Sequence, residues 1–418
     1  MASSINGNVP GRQLGDSEDR AATGLIRMLP VIVLAALASM LAISPSFVVT
    51  WGVYLAAGIF LTTFFLGGKT GKPELLAALL FGWSLLTVFW ADVPRASTSA
   101  VVVLAISLVF FFAYRLHSTT WNSMALIIVG YVVGTIVVVV ELILNSRVSL
   151  QDMLQSVLSW AVLTTGENDV ERFSLGGTNF NYLSYTFCAA AALAMILAIT
   201  ARRRWPFVIL AVVQLVLALF GLTLTGTRGA VYGIVALIVW VAIAWIAPKF
   251  CFWSLLAIVA VAQVRITVGV GTDVVDRLEG ARATGTLSGR TDIWAKAKEL
   301  WLESPVLGSG QGANQAIYGV EAHNAVLNAL AGTGVVGCGL LLIFWWTCLR
   351  GSSFSPKRYL AIGCFVASTA PAYLTGAWDV LIPSWVSLAI VSNLDQIVRE
   401  MKNGHRRKCG AEVDAIRR

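Results

Sequence analysis

The segment GVEAHNAVLN, residues 319–328, places a carboxylate, an imidazole and an amide together just before an apolar run that continues to Cys348. Glu321, His323 and Asn324 form a short polar cluster in a very hydrophobic chain. Histidine takes or gives a proton near neutral pH, so His323 is a candidate general base. Three other clusters stand out. ERFSLGGTNFNYLSY carries Arg172 and Asn181, LTGTRGAVYG carries Arg228 among small residues, and TLSGRTDIW carries Arg290. A guanidinium matches phosphate oxygens with a planar two-pronged fork. Arginine with histidine, and no carboxylate cluster of the metal-ligand kind, suits displacement of a phosphate leaving group without a metal rather than a two-metal site. No metal or other cofactor is therefore expected. The small residues around Arg228 would let a bulky substrate approach the backbone.

Each residue also has a plainer reading. A lone arginine at a helix end is more often an anchor that reaches the lipid head groups. An arginine in a loop is usually just solvated, and a single histidine at a helix start is more often a structural hydrogen-bonding residue. The chemical reading depends on whether the chain brings these residues to one side.

The composition says what must position them. The chain has 418 residues, 57% of them hydrophobic and only 12% charged, with a mean hydropathy of +0.77. Soluble domains carry roughly 25% charged residues. Apolar runs of about 20 residues, each long enough to cross a bilayer core, recur along most of the sequence. The expected fold is an all-α polytopic membrane helix bundle with about twelve spans. They are placed near 24–43, 47–66, 74–91, 97–114, 121–144, 180–200, 205–224, 229–247, 251–270, 323–349, 358–376 and 379–397. Residues 1–23 read as a disordered cytoplasmic N-terminus, 24–397 as one membrane domain and 398–418 as a basic cytoplasmic tail. The Ala-Leu-Ala at 36–38 resembles a signal-peptidase site, but the apolar run continues through it, so the segment is kept as a span.

Placing the N-terminus in the cytoplasm puts Lys or Arg in every inside connection: Lys69 and Lys72, Arg115, Arg202 to Arg204, Lys249, then Arg350, Lys357 and Arg358. This follows the positive-inside rule. The net charge of +8 is thus explained by topology and anionic head groups, and no nucleic-acid partner is expected. Two long connections fall outside, about 145–179 and 271–322. LQDMLQSVLSWAVL and TDIWAKAKELWLES each show a helical apolar stripe, and both fit helices lying in the membrane interface or packed as a lid. In the second, Ile293, Trp294, Ala297, Leu300 and Trp301 form the stripe, with Thr291 as cap and Ser304-Pro305 as terminator. In this topology Arg172, Arg228, Arg290 and His323 share the outer side, while His117 and His405 do not. The six cysteines lie outside the long loops without CxxC spacing and read as small buried side chains.

In this order the clusters resemble the O-antigen ligase and O-antigen polymerase superfamily of bacterial inner-membrane proteins. The similarity is carried by FWADVPRAS, RFSLGGTNFNYLSY, TGTRGA, GRTDIWAKAKELWLESPVLGSGQG and AHNAVLNALAGTGVVG. The resemblance implies a GT-C-like glycosyltransferase. It would move a glycan from an undecaprenyl diphosphate carrier to an acceptor hydroxyl, on lipid A core or another glycan, at the external face. By that similarity His323 and Arg290 would be catalytic, His323 as base. Arg228 and Arg172 would hold the donor diphosphate, with Asn324 and Asn181 also contacting substrate. Gly332, Gly334, Gly337 and Gly339 are expected to allow close helix packing behind the histidine. The competing class is a flippase or exporter of lipid-linked glycans, which forms no new bond; polar groups gathered on one face rather than at the midplane disfavour it.

Overall fold

The computed structural model of the chain describes residues 28–41, 51–65, 71–145, 151, 180–201, 204–268, 290–350, 355–376 and 381–399. Among these the regular structure is helical, with no strand. Helices α1 (Met28–Leu41) and α2 (Val53–Phe65) are short. They are followed by α3 (Lys72–Leu86), a 3-10 turn at Thr87–Trp90, α4 (Pro94–His117) and α5 (Trp121–Asn145). After them come α6 (Phe180–Thr200), α7 (Arg204–Thr225), α8 (Arg228–Ile243), α9 (Pro248–Val268) and α10 (Arg290–Glu303). The chain continues with α11 (Ala313–Tyr318), α12 (Ala325–Arg350), α13 (Pro356–Thr375) and α14 (Ile382–Ser392). Helix is the expected form for such apolar runs, because each backbone N–H and C=O is satisfied within its own segment.

One of these helices overlaps each of the twelve expected segments, but they differ in length. Among the described residues seven helices are long and apolar enough to cross a membrane: Lys72–Trp90, Pro94–His117, Trp121–Leu144, Asn181–Thr200, Trp205–Thr225, Pro248–Val268 and Ala325–Arg350. Met28–Leu41, Val53–Phe65 and Gly229–Ile243 are apolar but shorter. The interfacial helix expected near 150–163 falls outside the described residues apart from Gln151.

The bundle has an axis and a rim. The apolar window of α6 is 94% buried, that of α9 only 6%. Helix α6 packs on α7 and α13, and α13 packs on α8 and α9. Around them α14 lies on α4, α12 on α3, and α10 on α12. The short α1 is accepted closely because Gly130 and Gly134 of α5 face it, and a Cβ at either would stand 2.2 Å from the Ala35 or Ser39 carbonyl oxygen. This is the small-residue spacing that brings membrane helices to backbone contact.

One helix is not continuous. In α12, Gly334 has φ 65° and ψ −169°. The carbonyls of Ala331 and Gly332, which the break releases, accept from Ser309 N and Gly310 N, both at 2.9 Å. Val335 N donates to Pro305 O at 2.9 Å. Trp83 Nε1 donates to Thr333 O at 2.9 Å and Trp90 Nε1 to Gly308 O at 3.0 Å. The loop after α10 and the break in α12 thus satisfy each other. Irregular backbone within an apolar layer is tolerated on that condition. The glycine run was expected to serve helix packing, and the structure corrects this for Gly334, which makes the break, and for Gly339, whose Cβ position faces open space.

Candidate functional site

His323 lies in the turn between α11 and α12, two residues before α12 begins, rather than inside the helix. Its φ of 47° makes it the one non-glycine residue with positive φ among the described residues. This region is sparsely used by non-glycine residues, although histidine enters it more readily than most. Holding a residue there costs on the order of 1–3 kcal/mol and needs surroundings that over-determine it. The neighbours of His323 are well held. Ala322 before it and Asn324 after it are both fully buried. Glu321 is half-buried, and burial pushes its carboxyl above the usual carboxylate range. Upstream, Asn314 Nδ2 donates to Val320 O at 2.7 Å and anchors the start of the turn to α11.

Asn324 is the most constrained side chain of the cluster. Its Oδ1 accepts from Leu327 N at 2.9 Å, the bond of an N-cap to the third helical residue. The same oxygen accepts from Gln263 Nε2 at 3.1 Å. Its Nδ2 donates to Gln263 Oε1 and to Leu374 O, each at 3.0 Å. Both amide hydrogens and the oxygen are therefore engaged with α9, α12 and α13. The residue expected to contact substrate has its side-chain amide committed to the fold.

The neighbouring helix ends meet at the same place. Thr227, the N-cap position of α8, donates from Oγ1 to Asn181 Oδ1 at 3.1 Å. Tyr185 OH and Thr375 Oγ1 stand 3.5 Å apart. A Cβ on Gly229 would meet that pair at 2.9 and 2.8 Å. Arg228, between Thr227 and Gly229, thus opens α8 where it meets the first turn of α6 and the last turn of α13. One residue back, Leu374 bonds Asn324. The structure therefore brings Asn181, the start of α8, Asn324 and the His323 turn to one end of the bundle.

Arg290 opens α10. The helix begins one residue ahead of the expected cap Thr291, which lies inside it. The expected stripe is the packed face: Ala297 and Leu300 are buried, and Ile293, Trp294 and Trp301 half-buried. It lies on α12. Lys298 Nζ donates to Val268 O at the end of α9 at 3.1 Å, and Lys296 stands 5.4 Å from the Tyr318 ring of α11. Arg172 lies outside the described residues.

Gln263 was not singled out by sequence reasoning. Its signal was an amide inside an apolar span, AIVAVAQVRITV, where polar side chains are expensive. A cavity of about 40 Å³ lies between α3, α4, α12 and α14 and is lined in part by Ser84, Gln311, Asn328 and Thr333. It has room for little more than water and is far too small for a sugar.

Residues 213–343 match the family model described as O-Antigen ligase. The match supports the O-antigen ligase and polymerase superfamily. No curated protein matches the chain. The matched segment runs from within α7 through most of α12 and contains Arg228, Gln263, Arg290, His323 and Asn324; Arg172 and Asn181 precede it. The family implies glycosyl transfer between a lipid-linked donor and an acceptor in a membrane, in keeping with the seven long apolar helices.

Proposed function

We propose that the chain transfers a glycan from an undecaprenyl diphosphate carrier to an acceptor hydroxyl, at the external face of a bacterial inner membrane that it crosses about twelve times. His323 is the base. It takes the proton of the acceptor hydroxyl as that oxygen bonds to the anomeric carbon. The bond from that carbon to the diphosphate breaks, and its electron pair leaves with the diphosphate. Arg290 and Arg228, with Arg172, compensate the charge that develops on the leaving group. Asn324 positions the turn, and Asn181 supports the start of α8. The single observation that carries this reading is the φ of 47° at His323, within the O-antigen ligase segment. Strained backbone of this kind concentrates at functional sites.

The experiment is transfer from a purified undecaprenyl-diphosphate glycan in liposomes, with donor binding measured alongside. His323→Ala should keep donor binding and slow transfer at least about a hundredfold, within the range a general base contributes. His323→Gln should be nearly as slow, since an amide cannot accept the proton. Arg290→Lys keeps the charge and loses the fork, so donor binding should weaken. Wild-type transfer by His323→Ala sinks the reading. Lipid movement across the bilayer with no new glycosidic bond would instead support a flippase.

A further inference from the structure

Gln263 sits on α9, the most exposed of the long helices, one turn before its end. An amide on a span is costly unless its hydrogen bonds are met by protein. Here they are. Nε2 donates to Thr267 Oγ1 and Asn324 Oδ1, each at 3.1 Å, and Oε1 accepts from Asn324 Nδ2 at 3.0 Å. The two amides face each other in a closed reciprocal pair. The N-cap bond to Leu327 and the bond to Leu374 O do not by themselves need this pair. Gln263 adds a second pair of contacts that fixes the plane of the Asn324 amide. The next residue back is His323, in a conformation that only a well-held turn maintains.

We infer that Gln263 is a positioning residue for glycosyl transfer: its reciprocal amide pair with Asn324 holds the His323 turn in the geometry that proton removal needs. The inference rests on the proposed role of His323. Gln263 touches no reacting atom. Its effect passes through Asn324 to the backbone of the histidine. Displacing a reacting group by about 1 Å can cost on the order of a hundredfold in rate.

Gln263→Met keeps the length and apolar body of the side chain and removes both hydrogen bonds to Asn324. In the purified, full-length protein with undecaprenyl-diphosphate glycan as donor, kcat should fall about 10- to 100-fold while the donor KM and directly measured donor Kd stay within about twofold. In a His323→Ala background the same change should alter residual transfer by less than about twofold, because residues that act as one unit are not additive. Thermal unfolding in detergent shows whether the variant is folded, and Gln263→Leu repeats the test should the methionine variant fail to fold. Wild-type kcat in a folded variant overturns the inference. So does an equal loss of donor binding and kcat, or a further large loss in the His323→Ala background, since both mark a merely structural role. If His323→Ala transfers as wild type, the functional reading falls first and the inference with it. If His323→Ala is slow and Gln263→Met is not, only the inference falls.

Discussion

His323 and Glu321 are two residues apart and are perturbed in different ways. The histidine is strained in its backbone, the glutamate in its protonation. For Glu321 the cause is desolvation, which disfavours the charged carboxylate. The folded state therefore binds its proton more tightly than the unfolded state does. The native chain holds more protons between the ordinary value of about 4.5 and the raised one, so stability falls as pH rises through that window. It is fully present below the ordinary value and lost above the raised one. Glu321→Gln removes the titration. Its melting temperature in detergent should decline less than that of the wild type as pH is raised from about 4.5. Parallel curves would show that the carboxyl does not feel its burial. The residue types of this turn were legible in the sequence: an imidazole and a carboxylate ahead of an apolar run. Their conformations were not, because the neighbouring Asn324 is tied to α9 and α13 by bonds to residues 61 and 50 positions away in sequence.

Among the elements, the interrupted α12 shows what a hydropathy reading misses. The apolar run from Ala325 to Arg350 reads as one span, and its glycines read as small residues for helix packing. The break needs a partner some 25 residues upstream, the loop from Ser304 to Gly312, whose N–H groups take the released carbonyls. No local pattern announces that pairing. Gly334 is the position where it can be tested. Its φ and ψ lie in a region used almost only by glycine, and a Cβ would stand 2.1 Å from Val306 O. Gly334→Ala should cost about 1–3 kcal/mol for the backbone conformation, with the collision in addition. Gly339→Ala is the control. Nothing lies within 4 Å of its Cβ position, and alanine in a helix interior is favoured by roughly 0.5–1 kcal/mol. Thermal unfolding of the two purified variants should separate them clearly. Equal midpoints would mean that α12 closes over the break without loss. The stripe of α10 was legible, because Ala297, Leu300 and their neighbours keep the helical period; that it lies on α12 was not readable from the period alone.

Among the described residues two polar layers stand at opposite ends of α13. One contains the His323 turn, Asn324 with Gln263, and Asn181 with Thr227. The other joins Glu74 to Arg115, Arg115 to Ser392 and Asn393, and Arg358 to Asp395 and to the Leu349 carbonyl. Helix α13 connects them, from Arg358 in one layer to Leu374 in the other. Those sixteen steps at 1.5 Å per residue span about 24 Å, close to the roughly 30 Å of a bilayer core. The second layer also gathers basic residues at helix ends: Lys72, Arg115, Arg350, Lys357 and Arg358. The proposed orientation, which follows the positive-inside rule, puts that layer at the cytoplasm and the His323 layer outside. The charge pattern was legible in the sequence, because Lys and Arg at the ends of apolar runs stand out without any knowledge of packing. The pairing of Glu74 with Arg115 and of Arg358 with Asp395 was not, since each joins residues far apart in the chain. Reporter fusions test the orientation directly. A fusion at Gly280, between α9 and α10, should report the external side, and one at Ser352, between α12 and α13, the cytoplasm. Readings on the same side would break the alternation from α9 to α13. Reversed readings would put the His323 layer in the cytoplasm, where a donor presented on the external leaflet cannot reach it.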